Sequence, residues 1–183
     1  MSFGFKTSNK KVSDAIGRAF YQNIIMFAAA SNGGGNEGRA FPASDKRVIC
    51  VHSTDGQGNR SKFSPTAKRG CENFGFPGES IESSWPRKTA SSPCTKIKSG
   101  TSFATPLAVA LAANLIEYVQ QKLTAANDHV GRSIRRDDGL RAVFKLMAQE
   151  RDGYEYITPW RLFGSENSEL SINQRIADAL RNI

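Results

Sequence analysis

Histidine is scarce in this 183-residue chain, which has only His52 and His129. Chemistry that needs an imidazole base must use one of these two or take it from another segment. Cysteine is scarce as well. Cys50, Cys71 and Cys94 are widely spaced and odd in number, which excludes a zinc-ligand pattern and a closed disulfide framework. No run approaches the roughly 18 consecutive apolar residues of a membrane span, and no membrane partner is expected. Met1–Lys11 has no apolar run leading to a cleavage site, so no secretory leader is read there and the cytoplasm is the default compartment. Asn59-Arg60-Ser61 is a glycosylation sequon only if the protein is secreted. No carboxylate cluster has calcium-loop spacing, and neither metal nor cofactor is expected.

What is present is an ordinary globular composition, 39% hydrophobic, with a net charge of +8. The excess positive charge lies in residues 1–100, while residues 101–183 are balanced. A basic first half could attract nucleic acid. Its charges are scattered, however, without the aromatic interleaving of single-strand binders, so they read as a solvated face. Nucleic acid is not expected as a partner.

The pattern of elements points to an α/β scaffold. Val12, Ala15, Ile16, Ala19 and Phe20 recur at helical spacing. Ile24–Ala30 is a continuous apolar run that suits a strand buried on both faces. With Met1–Phe3 as a preceding strand end, this makes a right-handed βαβ unit. Asn32 then falls just past the carboxyl end of a parallel strand, where open α/β sheets bind ligands. Val48–Thr54 reads as a second strand and Ser80–Trp85 as a short one, with a loop from Ser91 onward. After Ser102, Leu107, Leu111, Leu115, Val119 and Leu123 stand four apart beside a row of small residues, so a helix packed on several sides is expected. Pro106 places its start close to Ser102, because proline is best tolerated in a first turn. Ala125–His129 reads as a loop, and Leu140, Val143, Phe144 and Met147 describe an amphipathic helix. Gly153–Trp160 is an aromatic segment expected to pack on the domain, and Ser171 with Gln174 matches a capping box before a last helix.

Two local motifs carry chemistry. Gly100-Thr101-Ser102-Phe103-Ala104-Thr105-Pro106 sets a serine in a small-residue turn at a helix N-terminus, where unpaired N–H groups favour developing negative charge. Taken alone, Ser102 could equally be a helix cap. Gly33–Gly38 has Walker-like glycine spacing, but Arg39-Ala40 replaces the required Lys-Ser/Thr. Ala104 likewise breaks the Gly-x-Ser-x-Gly elbow.

Gly100–Pro106 resembles the nucleophile motif of the subtilases, the subtilisin-like serine peptidases, and Phe27-Ala28-Ala29-Ala30-Ser31-Asn32-Gly33 resembles their oxyanion-hole segment. Phe41-Pro42-Ala43-Ser44, Val48–Val51, Phe63-Ser64 and Pro77–Ile81 follow in family order, and Met1-Ser2-Phe3-Gly4 is similar to the cleft-lining strand. The sedolisin-type peptidases share the Gly-Thr-Ser turn but use an aspartate where this chain has Asn32.

The resemblance implies Ser102 as nucleophile and Asn32 as oxyanion donor. It implies Ser2, Phe3 and Gly4 facing Ala29, Ala30 and Ser31 as walls of a peptide-binding cleft, with a roomy primary pocket for a large apolar residue. The family's triad Asp and His lie in segments before the strand matched by Met1–Gly4. His52 and His129 lack the family's His-Gly-Thr context and are expected to be packed or solvated. The expected fold is therefore α/β, a partial subtilisin-like fold with a parallel sheet flanked by helices. Residues 1–124 form the C-terminal part of a catalytic domain and residues 125–183 a helical extension. The expected function is a serine endopeptidase acting on peptide or protein substrates, with upstream domains missing from this chain. The alternative is a catalytically inactive binding or regulatory module. A partial sheet would expose an edge prone to association.

Overall fold

Alternating apolar side chains in the central strands divide the interior into two packed faces. The computed structural model describes all residues except 88, 90–92, 126 and 182. In chain order the elements are α1 (Lys10–Tyr21), β1 (Phe27–Ala29), β2 (Ile49–Thr54), β3 (Phe74–Pro77), β4 (Ile81–Ser84), β5 (Thr95–Lys98), α2 (Thr101–Lys122), α3 (Asp128–Ser133), α4 (Asp137–Leu146), β6 (Ala148–Arg151), β7 (Tyr154–Ile157), α5 (Trp160–Phe163) and α6 (Glu169–Arg181).

The main sheet has the order β1-β2-β3-β7-β6. The first four strands are parallel, with Ala28 opposite Cys50, Val51 opposite Phe74 and Phe74 opposite Glu155, and β6 runs antiparallel to β7 at the far edge. Phe27, Ile49, Val51, Phe74 and Phe76 pack with α2, α4 and α6, while Ala28, Ala30, Val48 and Cys50 pack with Ile16 of α1. This is the period-two alternation of strands covered on both faces. Phe144 of α4 is fully buried and meets the rings of Phe27, Phe74 and Phe76 at centroid distances of 6.3, 5.5 and 5.6 Å.

The expected strand from Ile24 is shorter than its apolar run. Asn23, at φ 56°, ends α1 in a turn, and Ile24 is 51% exposed. From the expected loop, residues 91 and 92 lie outside the described residues, and Thr95–Lys98 forms a hairpin with Ile81–Ser84. His129 sits in α3 rather than a loop. The terminal helix begins at Glu169, three residues before its first buried position, because the Ser168 hydroxyl accepts the Ser171 N–H at 3.2 Å.

The expected helical extension over residues 125–183 also contributes two strands to the sheet. Tyr154 and Tyr156 of β7 are buried, and β7 extends the parallel sheet while β6 closes it. A hairpin with a polar outer strand carries no helical period, so its apolar residues count toward the sheet.

Helix α2 is long and apolar enough to cross a membrane by length and composition. Its Ala104, Ala108, Leu115 and Val119 nevertheless face the sheet as core. Pro106 is its sixth residue, beyond the first turn where it was expected. Proline lacks the N–H that would bond the carbonyl four residues back, here that of Ser102. That carbonyl instead accepts the Ser2 hydroxyl at 3.3 Å.

Candidate active site

The serine turn is held by two glycines that touch. Gly100 adopts φ 153° and donates its N–H to the Gly78 carbonyl at 2.8 Å. A Cβ at Gly78 would sit 2.4 Å from Ser53 Oγ and 3.0 Å from the Gly100 oxygen. Strand β3 ends at Pro77, so this contact fixes where α2 begins relative to the sheet. The conformation of Gly100 is one that side-chain-bearing residues rarely adopt.

Asn32 reaches the same turn from the end of β1. Ser31, at φ 156°, holds a backbone conformation almost confined to glycine. Its hydroxyl accepts the Gly33 N–H at 3.2 Å, and its carbonyl accepts the Thr101 hydroxyl at 3.3 Å. Asn32 Oδ1 takes two bonds from Thr101, the backbone N–H at 2.9 Å and the hydroxyl at 3.0 Å. The carboxamide is thereby oriented, and among the described residues Nδ2 has no protein acceptor. A Cβ built on Gly100 would lie 3.4 Å from that nitrogen.

Backbone accounting at the helix start picks out a second donor. The first N–H groups of a helix have no partner within it. Here Thr101 donates to Asn32, while Phe103 and Ala104 turn back to the Gly100 carbonyl. Among the described residues, the Ser102 N–H has no protein acceptor. Ser102 is half-buried and Asn32 exposed, so both donors are open to an incoming carbonyl.

The structure brings Ser2, Ser31, Asn32 and Ser102 together, and places the remaining wall residues differently from one another. Phe3 is 49% exposed and Gly4 is also exposed, but Ala29 and Ala30 are buried. The Ala30 methyl packs in the cluster of Ile16 and Phe41, and its N–H and carbonyl are bonded to Val51 and Ala40. A Cβ on Gly4 would lie 2.6 Å from the Ala40 Cβ, and Phe5 and Phe41 exchange two backbone hydrogen bonds just beyond. Gly4 and Ala40 therefore lie too close together for a side chain at position 4. Ala40 lies in no motif, and its closeness to Gly4 cannot be read from spacing.

Among the described residues, neither histidine has a hydrogen bond to Ser102. His52 lies in the middle of β2 and is fully buried, with Nε2 3.6 Å from Cys50 Sγ and Nδ1 3.3 Å from Ser64 Oγ. The Tyr154 ring covers it edge-on at 5.2 Å. Burial, helped by the nearby Arg39 cation, lowers its pKa to about 3, so the ring is neutral. Burial pushes the neighbouring Cys50 thiol up to about 11. His129 is exposed on α3, 3.4 Å from Ser133 Oγ. A cavity of about 1080 Å³ behind the loop after Asn32, lined by Arg39, Lys46, Glu72 and Arg141, does not include Ser102.

The chain matches the subtilase family over residues 1–164, a span that takes in β6 and β7. It belongs to that family. The subtilase is 31% identical over 175 residues to subtilisin-like protease het-Q2 of Podospora anserina, covering 89% of this chain and 47% of that protein. It is 30% identical over 152 residues to subtilisin DY of Bacillus licheniformis, covering 76% and 53%. The solved protease domain of PatA, an S218A mutant, matches 100% of this chain with 58% of its own, at TM-score 0.70 and 21% identity, a likeness of fold. The chain spans about half the length of the curated relatives it matches.

Proposed function

We propose that this chain is the nucleophile-bearing part of a subtilisin-class serine endopeptidase. Ser102 attacks the scissile carbonyl, and the tetrahedral oxyanion is held by Asn32 Nδ2 and the Ser102 N–H. The observation that carries this reading is the doubly bonded Asn32 oxygen, which turns the amide nitrogen outward beside the serine turn. Donors fixed before the reaction stabilise charge without reorganising. Exposed backbone at Ser2–Gly4 supplies strand-like bonding groups for an extended peptide, and the small side chains of Ala29, Ala30 and Ser31 favour a large apolar residue at the cleaved position.

A serine hydroxyl needs a base, and neither His52 nor His129 is one for Ser102. The chain alone therefore retains only oxyanion-hole and binding effects, about 10³–10⁴ over water in triad-less serine peptidases. Incubating the purified chain with an unstructured peptide mixture and analysing cleavage by mass spectrometry tests this. The expected result is negligible cleavage until a polypeptide supplying the subtilase Asp and His is added. Rapid Ser102-dependent cleavage by the 183 residues alone would overturn the assignment of an external base. The alternative, an inactive binding module, is favoured by the buried, neutral His52, and requires that no added polypeptide elicit cleavage.

A further inference from the structure

The glycine-rich loop after Asn32 and part of the excess positive charge of residues 1–100 meet at one cavity. It measures about 1080 Å³, and Gly35, Asn36, Glu37 and Gly38 of the loop form one side of it. Five cations also border it: Arg39, Lys46, Lys68, Arg141 and Lys145. Two of the five are compensated. Arg141 pairs with Glu72 and Asp137, and Lys145 pairs with Glu72 at 2.6 Å. Among the described residues, Arg39, Lys46 and Lys68 form no ion pair. Arg39 Nη2 donates only to neutral acceptors, the Glu72 carbonyl at 2.5 Å and Asn73 Oδ1 at 2.7 Å. These bonds fix the guanidinium against the wall without neutralising it. Its Nε is buried with no partner, an orphaned donor of the kind folded proteins rarely leave.

The remaining carboxylates at the cavity are engaged elsewhere. Asp45 pairs with Arg47, and Glu155 Oε2 accepts the Asn73 N–H at 3.0 Å. Glu37 is exposed, and its carboxylate lies against Gly33, which is not part of the lining. The loop itself adds donors. Among the described residues, the N–H groups of Gly35, Asn36, Gly38 and Arg39 have no protein acceptor. The backbone is also uncrowded at Gly38, where an added Cβ would meet nothing within 4 Å. Unbonded N–H groups in glycine-rich turns make anion sites, and guanidinium and ammonium groups beside them suit phosphate. The loop lacks the Lys-Ser/Thr pair of a nucleotide-hydrolysing motif, so these groups bind without acting on what they hold.

We infer that this cavity binds a phosphate group, free or as the monoester of a small molecule. Arg39, Lys46 and Lys68 supply the charge, and the N–H groups between Gly35 and Arg39 supply the remaining donors. Small-molecule sites run to about 1,000 Å³, so the cavity has room for a monoester. Ser102 is not among its lining residues, and the inference stands or falls apart from the peptidase reading.

The test titrates the isotope-labelled full chain with inorganic phosphate, with glycerol phosphate and, as a control, with glycerol, following backbone amides by NMR. Saturable shifts at Gly35, Asn36, Gly38 and Arg39 are expected with the phosphates and not with glycerol, while Gly164 at the end of α5 stays unmoved. Binding of glycerol phosphate as well as phosphate assigns the site to a monoester, and binding of phosphate alone assigns it to the free anion. Arg39→Gln should weaken binding by ~10-fold or more. Because Arg39 also anchors Glu72 and Asn73, a second variant is needed that leaves those bonds intact. Lys46 and Lys68 are both exposed, and Lys46→Gln combined with Lys68→Gln should weaken binding by ~10-fold with an unchanged urea midpoint. No saturable shift with either phosphate, equal shifts with glycerol or at Gly164, or an affinity unchanged in the double lysine variant would overturn the inference.

Discussion

Asn32 Oδ1 accepts both the backbone N–H and the hydroxyl of Thr101, at 2.9 and 3.0 Å, across 69 residues of sequence. Thr101 is 1% exposed, so these bonds are made at the buried base of the site while the amide nitrogen remains outside. Asn32 would otherwise be an exposed side chain free to turn. Thr101 therefore sets the orientation of the Asn32 carboxamide, the proposed oxyanion donor.

Replacing Thr101 by valine keeps the shape and removes the hydroxyl. Its bonds to Asn32 Oδ1 and to the Ser31 carbonyl are lost together. Stability should fall by about 1–2 kcal/mol, read from urea unfolding midpoints. A neutral outcome would mean that the hydroxyl is not holding the loop.

Gly78 should be intolerant of any side chain. Its added Cβ would meet Ser53 Oγ at 2.4 Å and Ala104 Cβ and the Gly100 oxygen at 3.0 Å. Gly78→Ala is expected to cost about 1–3 kcal/mol through overpacking, and to displace the turn that presents Ser102. Thermal unfolding measures the first effect and amide chemical shifts at Gly100 and Thr101 the second.

His52 makes folding pH-dependent. Its pKa is lowered to about 3 by burial, against 6.5 for the free side chain, and the groups facing it are Cys50, Ser64 and Tyr154 with Arg39 nearby. Between these values the unfolded chain binds a proton that the folded chain does not, so stability is lost as pH falls below about 6.5. The slope should approach ~1.4 kcal/mol per pH unit. Urea titrations from pH 7.5 to 5.0 should show the decline, and His52→Gln should flatten it. The same slope in both proteins would show that the imidazole is not the source.

The segment after residue 124 should unfold with the rest. Phe144 lies in α4, yet its ring meets residues of β1 and β3. Phe144→Ala should cost about 3–5 kcal/mol and lower a single transition seen alike by near-UV and far-UV circular dichroism. Two separate transitions, with only one affected, would mean that residues 125–183 form an independent extension.

The sequence made some of this legible and hid the rest for physical reasons. Helix α2 and strand β2 were plain because their apolar residues repeat at the period of the element. Ser102 and Asn32 could be named because each sits in a short motif at a strand end or helix start. Ala40 and Gly78 were invisible, since their roles come from contacts with Gly4 and Gly100 across the fold. Pro106 placed the helix start close to Ser102, where it is, but the Ser2 hydroxyl that takes the freed Ser102 carbonyl cannot be read from spacing. The β6–β7 hairpin was missed because Ala148–Arg151 carries little apolar signal and earns its place through pairing with β7.

The most direct test of the central assignment is the rate of fluorophosphonate labelling of the chain, with the complementing polypeptide present, for the parent sequence, Ser102→Ala and Asn32→Ala. The expected result is labelling abolished by Ser102→Ala and slowed by about 10²–10³ in Asn32→Ala, the range known for losing one such donor in subtilisin. Labelling that survives Ser102→Ala, or a rate indifferent to Asn32→Ala, would contradict it.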